Sequence, residues 1–435
     1  MKRKRNLYQI EEDRPTGREE LCRYFPYFNS NSSQLVCLFI GRIFRRPVLG
    51  KAMVVAVHAS PLVFLPSSPF AASRNLKKQC NTIINFNIGL QSSHSKPSCI
   101  TISSIKCSAS STSAIISKEE EPLPLEVNEI KTMCKTWVWR GYNINYLSYQ
   151  ARNNNTSRPS LLLVHGFGAS VAHWRKNIAI LAQDYAVYAI DLLGFGASDK
   201  PEGFAYNMET WAQLILDFVN ETIQRPTVLV GNSVGSLACV IAAADPSQTS
   251  IQGLVLLNCA GGMNNKAIVD DWRIKLLLPL LWLVDFLLNQ KPIASAIFNR
   301  VKQRENLKNI LLSVYGNKES VDEDLVDIIR TPADAEGALD AFVSIVTGPP
   351  GPNPVQLIPK VTLPILVLWG DQDPFTPIDG PVGRYFSSLP SQKPNVSLFL
   401  LEGVGHCPHD DRPDLVHEKL LPWLNHLPVT ENVVT

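Results

Sequence analysis

Three side-chain types in this chain are spaced so that they could share one reaction. The apolar run Thr227–Val228–Leu229–Val230 enters Gly231–Asn232–Ser233–Val234–Gly235 and leaves as an Ala-rich segment with helical spacing at Leu237, Cys239, Val240 and Ala243. A strand, a G-x-S-x-G turn and a helix in that order lift a serine hydroxyl above a sheet. Glycine on both sides removes Cβ atoms where strand and helix would collide with the turn. An ordinary Gly-Ser turn has the same letters, but the flanking elements favour Ser233 as a nucleophile.

A serine hydroxyl needs a base, and the base needs an orienting acid. With acid and base taken downstream of the serine, one acid cluster directly follows an apolar strand: Leu368–Trp369–Gly370–Asp371–Gln372–Asp373–Pro374. Asp373 is the expected acid because it lies farther into the loop, whereas Asp371 suits a turn cap; Asp379 is a remoter candidate. The base comes from His406, His409, His417 or His426. His406 is expected, in Gly403–Val404–Gly405–His406, where glycines let the loop approach the serine turn closely. His409 could substitute, while His417 and His426 fall in or beyond the last helix and suit packing or surface roles. Two backbone donors must receive the oxyanion, and Val234 N–H and Phe167 N–H, the latter in His165–Gly166–Phe167–Gly168, are the expected pair. A plain tight turn is the alternative for that stretch.

The elements that must position these groups alternate. Lys135–Gly141 and Asn143–Gln150 read as a hairpin, Ser160–His165, Val187–Ile190 and Ile251–Leu257 as short buried strands, and Met208–Gln224 as a helix. Such alternation predicts an α/β fold, a mostly parallel sheet flanked by helices. From Gly261 to Pro354 the pattern is helical. A capping box is expected at Ser320–Glu323, a helix opening at Thr331–Pro332, and a stiff loop at Gly348–Pro352. Strands at Val361–Trp369 and Val396–Leu401 and a helix near Pro413–Trp423 complete the sheet. The expected organisation is a core at 135–260 and 355–428, a helical cap inserted at 261–354, an acidic linker at 119–134, and a disordered region at 1–118.

Charge divides the chain. Residues 1–118 hold 17 Lys/Arg against 5 Asp/Glu, and the remainder holds 24 against 34, for a net +2. The folded part is acidic, and no basic patch points to nucleic acid. From 21 to 118 there is no acidic residue, while Ser, Arg and Lys abound; that is transit-peptide composition. Glu11, Glu12, Asp13, Glu19 and Glu20 do not belong in one, so Met53–Ser108 is read as the transit peptide, with 1–52 an upstream extension. The nine cysteines show no C-x-x-C or metal spacing, which fits a reducing compartment. Cys239 and Cys259 read as buried thiols, and Cys407, beside His406, as buried or redox-sensitive. No cofactor or metal is expected. Leu276–Leu288 (LLLPLLWLVDFLL) is too short to span a bilayer; it suits cap packing, an apolar wall for a hydrocarbon chain, or membrane docking.

HGFG, DLLGFGASD, GNSVG, LWGDQDPFTP and GVGHCPHDD together resemble the α/β-hydrolases over roughly residues 135–426. Asn258–Trp272 and Gly337–Gly348, together with Ser236 after the serine turn, resemble the plant chlorophyll dephytylases. The related pheophytinases are similar through that turn but carry a glycine where Ser236 stands. The resemblance implies an α/β-hydrolase fold with a helical cap and an esterase whose substrate is the phytyl ester of chlorophyll or a related phytylated tetrapyrrole. It also implies a chloroplast location with peripheral thylakoid association. Any magnesium would belong to the substrate. Other readings are a plastid esterase or lipase for another lipid-like ester, a pheophytin-specific dephytylase, and a ligand receptor on the same fold. Haloalkane and epoxide hydrolases place Asp where Ser233 stands.

Overall fold

The computed structural model describes residues 123–153, 157–264, 279 and 282–427. Among them, eight strands form one sheet in the order β1-β2-β4-β3-β5-β6-β7-β8. These are β1 (Cys134–Trp139), β2 (Tyr142–Tyr149), β3 (Ser160–Val164), β4 (Val187–Ile190), β5 (Thr227–Asn232), β6 (Ile251–Leu257), β7 (Ile365–Gly370) and β8 (Val396–Leu401). The hairpin β1–β2 turns through Arg140 and Gly141, both at positive φ (51° and 87°), the geometry that a two-residue hairpin loop demands. β2 also runs antiparallel to β4, and all pairs from β4 to β8 are parallel. The fold is therefore the expected α/β sheet with a helical insertion.

The central strands are apolar at nearly every position because both sheet faces are covered. Leu162, Val164 and Leu229 turn to one core with Trp211, Leu237 and Phe386, while Leu161, Leu163, Val228 and Val230 turn to the other with Trp174, Val416 and Leu420. The helices that supply this cover are α1 (Val127–Met133), α2 (Met208–Phe218), α3 (Val234–Ala243), α8 (Pro381–Gln392) and α9 (Pro413–Asn425). Between β6 and β7 lie α4 (Lys291–Val301), α5 (Arg304–Val314), α6 (Glu323–Arg330) and α7 (Ala338–Thr347).

Several local expectations are corrected. Val127–Met133, within the stretch read as a linker, is helical and buries Ile130. α6 is capped not by Ser320 but by Asp322, whose carboxylate accepts from Leu325 N at 2.7 Å; the Ser320 hydroxyl is already donated to Asp411 O at 2.7 Å. Thr331–Asp334 is a 3₁₀ turn continuing from α6 rather than the start of a new α-helix. β7 begins at Ile365 rather than Val361, since Pro364 has no N–H to give a strand ladder. The transit-peptide reading and residues 276–278, 280 and 281 of the apolar run lie outside the described residues.

Candidate active site

β5 delivers Ser233 into a turn at φ 55°, ψ −120°, a backbone region that non-glycine residues avoid. Its neighbours hold it there. The Ser233 N–H donates to Leu257 O at 3.0 Å, and the Ser233 carbonyl accepts from Leu237 N and Ala260 N, each at 3.2 Å. A Cβ on Gly231 would lie 2.6 Å from Ser236 N and Cα, and one on Gly235 would overlap the carbonyl oxygens of Val164 and His165. Ser236, which follows the turn, donates its hydroxyl to Gly231 O at 2.6 Å and accepts from Leu257 N at 3.2 Å. It ties β5 to β6.

The other expected residues converge on this turn. His406 Nε2 lies 2.8 Å from Ser233 Oγ, and His406 Nδ1 lies 2.8 Å from Asp373 Oδ2. All three side chains belong to buried residues. Asp373 accepts further bonds from Asn258 Nδ2 (2.6 Å), Thr376 Oγ1 (2.5 Å), Phe375 N (2.8 Å) and Thr376 N (3.1 Å). Burial alone would raise its pKa, but the neighbouring His406 and the bonds from His406, Thr376 and Asn258 hold it below the usual carboxylate range. Asp373 is therefore favoured as an anion, which suits Nδ1–H on the imidazole and Nε2 toward the Ser233 hydroxyl.

Val234 follows Ser233 in the chain, and the Gly166–Phe167 loop lies beside the same turn. A Cβ on Gly166, the residue before Phe167, would stand 3.2 Å from Ser233 Cβ, so this loop lies against the serine turn. Among the described residues nothing accepts from Phe167 N–H or Val234 N–H. The loop is held from behind. Leu192 N donates to His165 Nε2 at 3.1 Å, leaving Nδ1–H for Gly166 O at 2.7 Å, and Asp191 accepts from Val171 N at 2.6 Å and Ala197 N at 2.8 Å.

The alternative candidates sit elsewhere. Asp371 accepts from Gly403 N at 2.8 Å, and Asp379 is exposed. His409 is buried against the Trp174 ring, 4.0 Å between centroids, with Nε2 3.3 Å from His173 Nδ1. His417 Nε2 faces Asn177 Oδ1 at 3.1 Å, and His426 is exposed. Burial pushes the Cys407 thiol well above its ordinary value, with Asp410 adding to the effect, which leaves little reactive thiolate.

Two features around Asp373 and His406 are not evident from the sequence. Asn258, just beyond β6, both donates to Asp373 and accepts from Gly370 N at 3.0 Å. Adjacency of β6 and β7 puts an asparagine after one strand beside an acid after the other, and only that adjacency could have revealed it. Gly405, expected to make room for the serine turn, instead makes room for the insertion: its Cβ would overlap Val314 O and lie 2.7 Å from Gly316 N. Among the described residues no group of three or more His, Cys, Asp or Glu is placed to hold a metal ion, and no helix is long and apolar enough to cross a membrane.

The family model for the alpha/beta hydrolase fold matches residues 159–413, and the chain belongs to that family. At the level of class it is a serine hydrolase of ester bonds. Among curated relatives, an uncharacterized hydrolase, YugF, of Bacillus subtilis (strain 168) is 27% identical over 287 residues, spanning 65% of this chain and 95% of YugF. Chloroplastic pheophytinase of Arabidopsis thaliana is 27% identical over 317 residues, spanning 63% of this chain and 63% of pheophytinase. Among solved structures, a bacterial membrane phospholipase A superposes with TM-score 0.51 at 23% identity over 68% of this chain and 86% of that one. That last likeness shows the fold alone.

Proposed function

We propose that Ser233, His406 and Asp373 are the catalytic triad of an esterase whose substrate is the phytyl ester of chlorophyll or a closely related phytylated tetrapyrrole. The observation that carries the chemistry is the unbroken line Ser233 Oγ–His406 Nε2 (2.8 Å) and His406 Nδ1–Asp373 Oδ2 (2.8 Å). Ser233 Oγ attacks the ester carbonyl as His406 Nε2 takes its proton. The tetrahedral oxyanion is received by Phe167 N–H and Val234 N–H. His406 then protonates the departing phytol oxygen, since an alkoxide leaves far less readily than an alcohol. Water, deprotonated by the same imidazole, releases the acid and restores Ser233. Asp373 stays ionised throughout and stabilises the imidazolium.

Several features support this substrate and its location. The cap motifs and Ser236 resemble chlorophyll dephytylases, and the matched Arabidopsis protein is by name a chloroplast enzyme of pheophytin. Phe167 also begins a run of rings that leads into the insertion: its centroid lies 6.1 Å from that of Phe342, which lies 5.1 Å from that of Phe298. Such a wall suits an isoprenoid chain, at about 0.8 kcal/mol per buried CH₂. In the insertion Trp282 and Phe286 are 79% and 62% exposed, a surface suited to peripheral contact with a thylakoid membrane. The acid-free, Ser-rich composition of residues 21–118 supports import into the chloroplast.

The test is to incubate the full chain separately with chlorophyll a, pheophytin a and a galactolipid, measuring phytol and fatty-acid release. Phytol from chlorophyll, lost in Ser233→Ala, is the expected result. Phytol from pheophytin alone would narrow the substrate to the magnesium-free pigment. Fatty acid without phytol would replace it with an acyl lipid.

A further inference from the structure

Among the described residues, the insertion meets the His406 loop around a buried carboxylate, that of Asp411. Asp411 is 1% exposed, and its carboxylate gathers three backbone N–H groups. Oδ2 accepts from Gly405 at 2.6 Å and from Gly316 at 2.8 Å, and Oδ1 accepts from Asn317 at 2.9 Å. Gly405 immediately precedes His406; Gly316 and Asn317 follow α5 in the insertion. The His406 N–H itself donates to Val314 O, also in the insertion, at 3.0 Å. On the opposite side the His406 carbonyl accepts from Asn232 Nδ2, next to the nucleophile, at 3.0 Å. The backbone of the base is thus pinned between the serine turn and the insertion.

Steric fit makes the contact close. A Cβ on Gly316 would overlap Gly403 O, and one on Gly405 would lie 2.9 Å from Tyr315 C. Between the pinned residues, the Tyr315 hydroxyl reaches His173 Nε2 at 2.7 Å and Asp410 Oδ2 at 3.1 Å, which binds the same stretch of insertion to the loop behind Phe167.

We infer that Asp411 is a positioning residue for the esterase reaction: its carboxylate fastens residues 314–317 of the insertion to the His406 loop and so sets the imidazole against Ser233. This part of the insertion is therefore a fixed wall of the active site rather than a piece that lifts away with the substrate. A carboxylate suits the task because it offers two oxygens to three donors and carries no donor of its own. An amide in its place turns an NH₂ group toward backbone N–H groups. Near-attack geometry is demanding, and a displacement of about 1 Å can cost about 10²-fold in rate.

The inference rests on the proposed Ser233–His406 chemistry, and its test separates the two. Full-chain Asp411→Asn and Asn317→Pro are compared with the unmodified protein on a soluble short-chain ester, with functional sites counted by fluorophosphonate titration of Ser233. Pro suits position 317, where φ is −81°; it deletes one donor to Asp411 and, with the side chain, the bonds to Glu319 N and Ser320 Oγ. Asp411→Asn is expected to lower kcat per titrated site about tenfold to a hundredfold, with KM little changed and the phosphonylation rate falling in parallel. Asn317→Pro is expected to move the same way by a smaller factor. A purely architectural role would reduce the number of titratable sites and the melting temperature while leaving kcat per site intact, and that result overturns the inference. If Asp411→Asn does not fold, an unchanged kcat per site in Asn317→Pro overturns it instead. Turnover that survives in Ser233→Ala would sink the underlying chemistry; a dead Ser233→Ala beside a normal Asp411→Asn sinks only this step.

Discussion

Ser233 is held by residues close to it in the sequence and by the ends of neighbouring strands, whereas His406 and Asp373 are held by partners as far as 174 positions away. On the serine side backbone hydrogen bonds are joined by a steric limit: a Cβ on Gly231 or Gly235 would overlap packed backbone. On the histidine side the close fit of Gly316 and Gly405 is joined by side-chain contacts, made of amide, hydroxyl and carboxylate groups of Asn258, Thr376, Asn232 and Asp411. Repulsive walls fail all at once, because backbone atoms packed in a sheet cannot yield by an ångström. Attractive contacts fail in portions, because the remaining bonds keep part of the geometry.

That contrast predicts the largest effect at a residue that takes no part in the chemistry. In Gly235→Ala the new methyl meets the carbonyl oxygens of Val164 and His165 at the end of β3. Hydrolysis and fluorophosphonate labelling of Ser233 should both vanish, with destabilisation of more than about 4 kcal/mol. Urea unfolding together with labelling checks this. Retained labelling in a stable variant would mean that the serine turn can shift, and the contrast between the two sides would dissolve.

On the acid–base side the losses should be graded. Asp373→Asn keeps the shape but supplies the wrong hydrogen-bond pattern to Nδ1, and kcat should fall about 10⁴-fold. Asn258→Ala removes one of several bonds to the same carboxylate and leaves Gly370 N unpaired. A hydrogen bond to a charged group contributes about 1.5–3 kcal/mol, here divided between stability and rate, so a fall of about tenfold in kcat is expected. The sign of the pH effect follows from Asp373. Its pKa lies below the ordinary value partly because Asn258 favours the anion, so deleting the amide raises it. A ¹³C NMR titration of the Asp373 carboxyl that does not move upward in Asn258→Ala would show that the amide does not bias the carboxylate.

How much of this was legible in the sequence follows the same division. The serine turn is a local object, so letters and flanking periodicity were enough to place strand, turn and helix. The hairpin and the parallel strands were legible for the same reason, as was the presence of an acid after β7 and a histidine after β8. What could not be read was which distant side chains hold them. Asn258 stood in a recognised motif without a role, because its partner is 115 residues away. Gly405 was assigned to the wrong neighbour, because nothing in the chain's order says that Gly316 returns to that loop. Ser320 looked like a cap in local context and was taken by Asp411, 91 positions on.

The smallest effect lies in the packing beneath the acid–base side, where burial is the largest influence on three imidazoles. His417, on α9, is pushed down to about 4 by burial, with Asp414 opposing the shift; His173 is pushed down to about 3 and His409 well down, both by burial first. Each is neutral when folded and takes up a proton on unfolding below 6.5, the ordinary histidine value. Stability is therefore fully present above that pH and drains away as pH falls toward the folded values, at up to about 1.4 kcal/mol per pH unit for each histidine. His417→Gln keeps a donor for Asn177 Oδ1 but cannot titrate. Urea unfolding at about pH 5 and about pH 7 should show a difference smaller than in the unmodified protein by about one histidine's share, with activity at neutral pH unchanged. An unaltered difference would assign the proton uptake to His173 and His409, which meet at 3.3 Å beside the turn Val171–Trp174, and would move the acid-sensitive element from the helix to that turn.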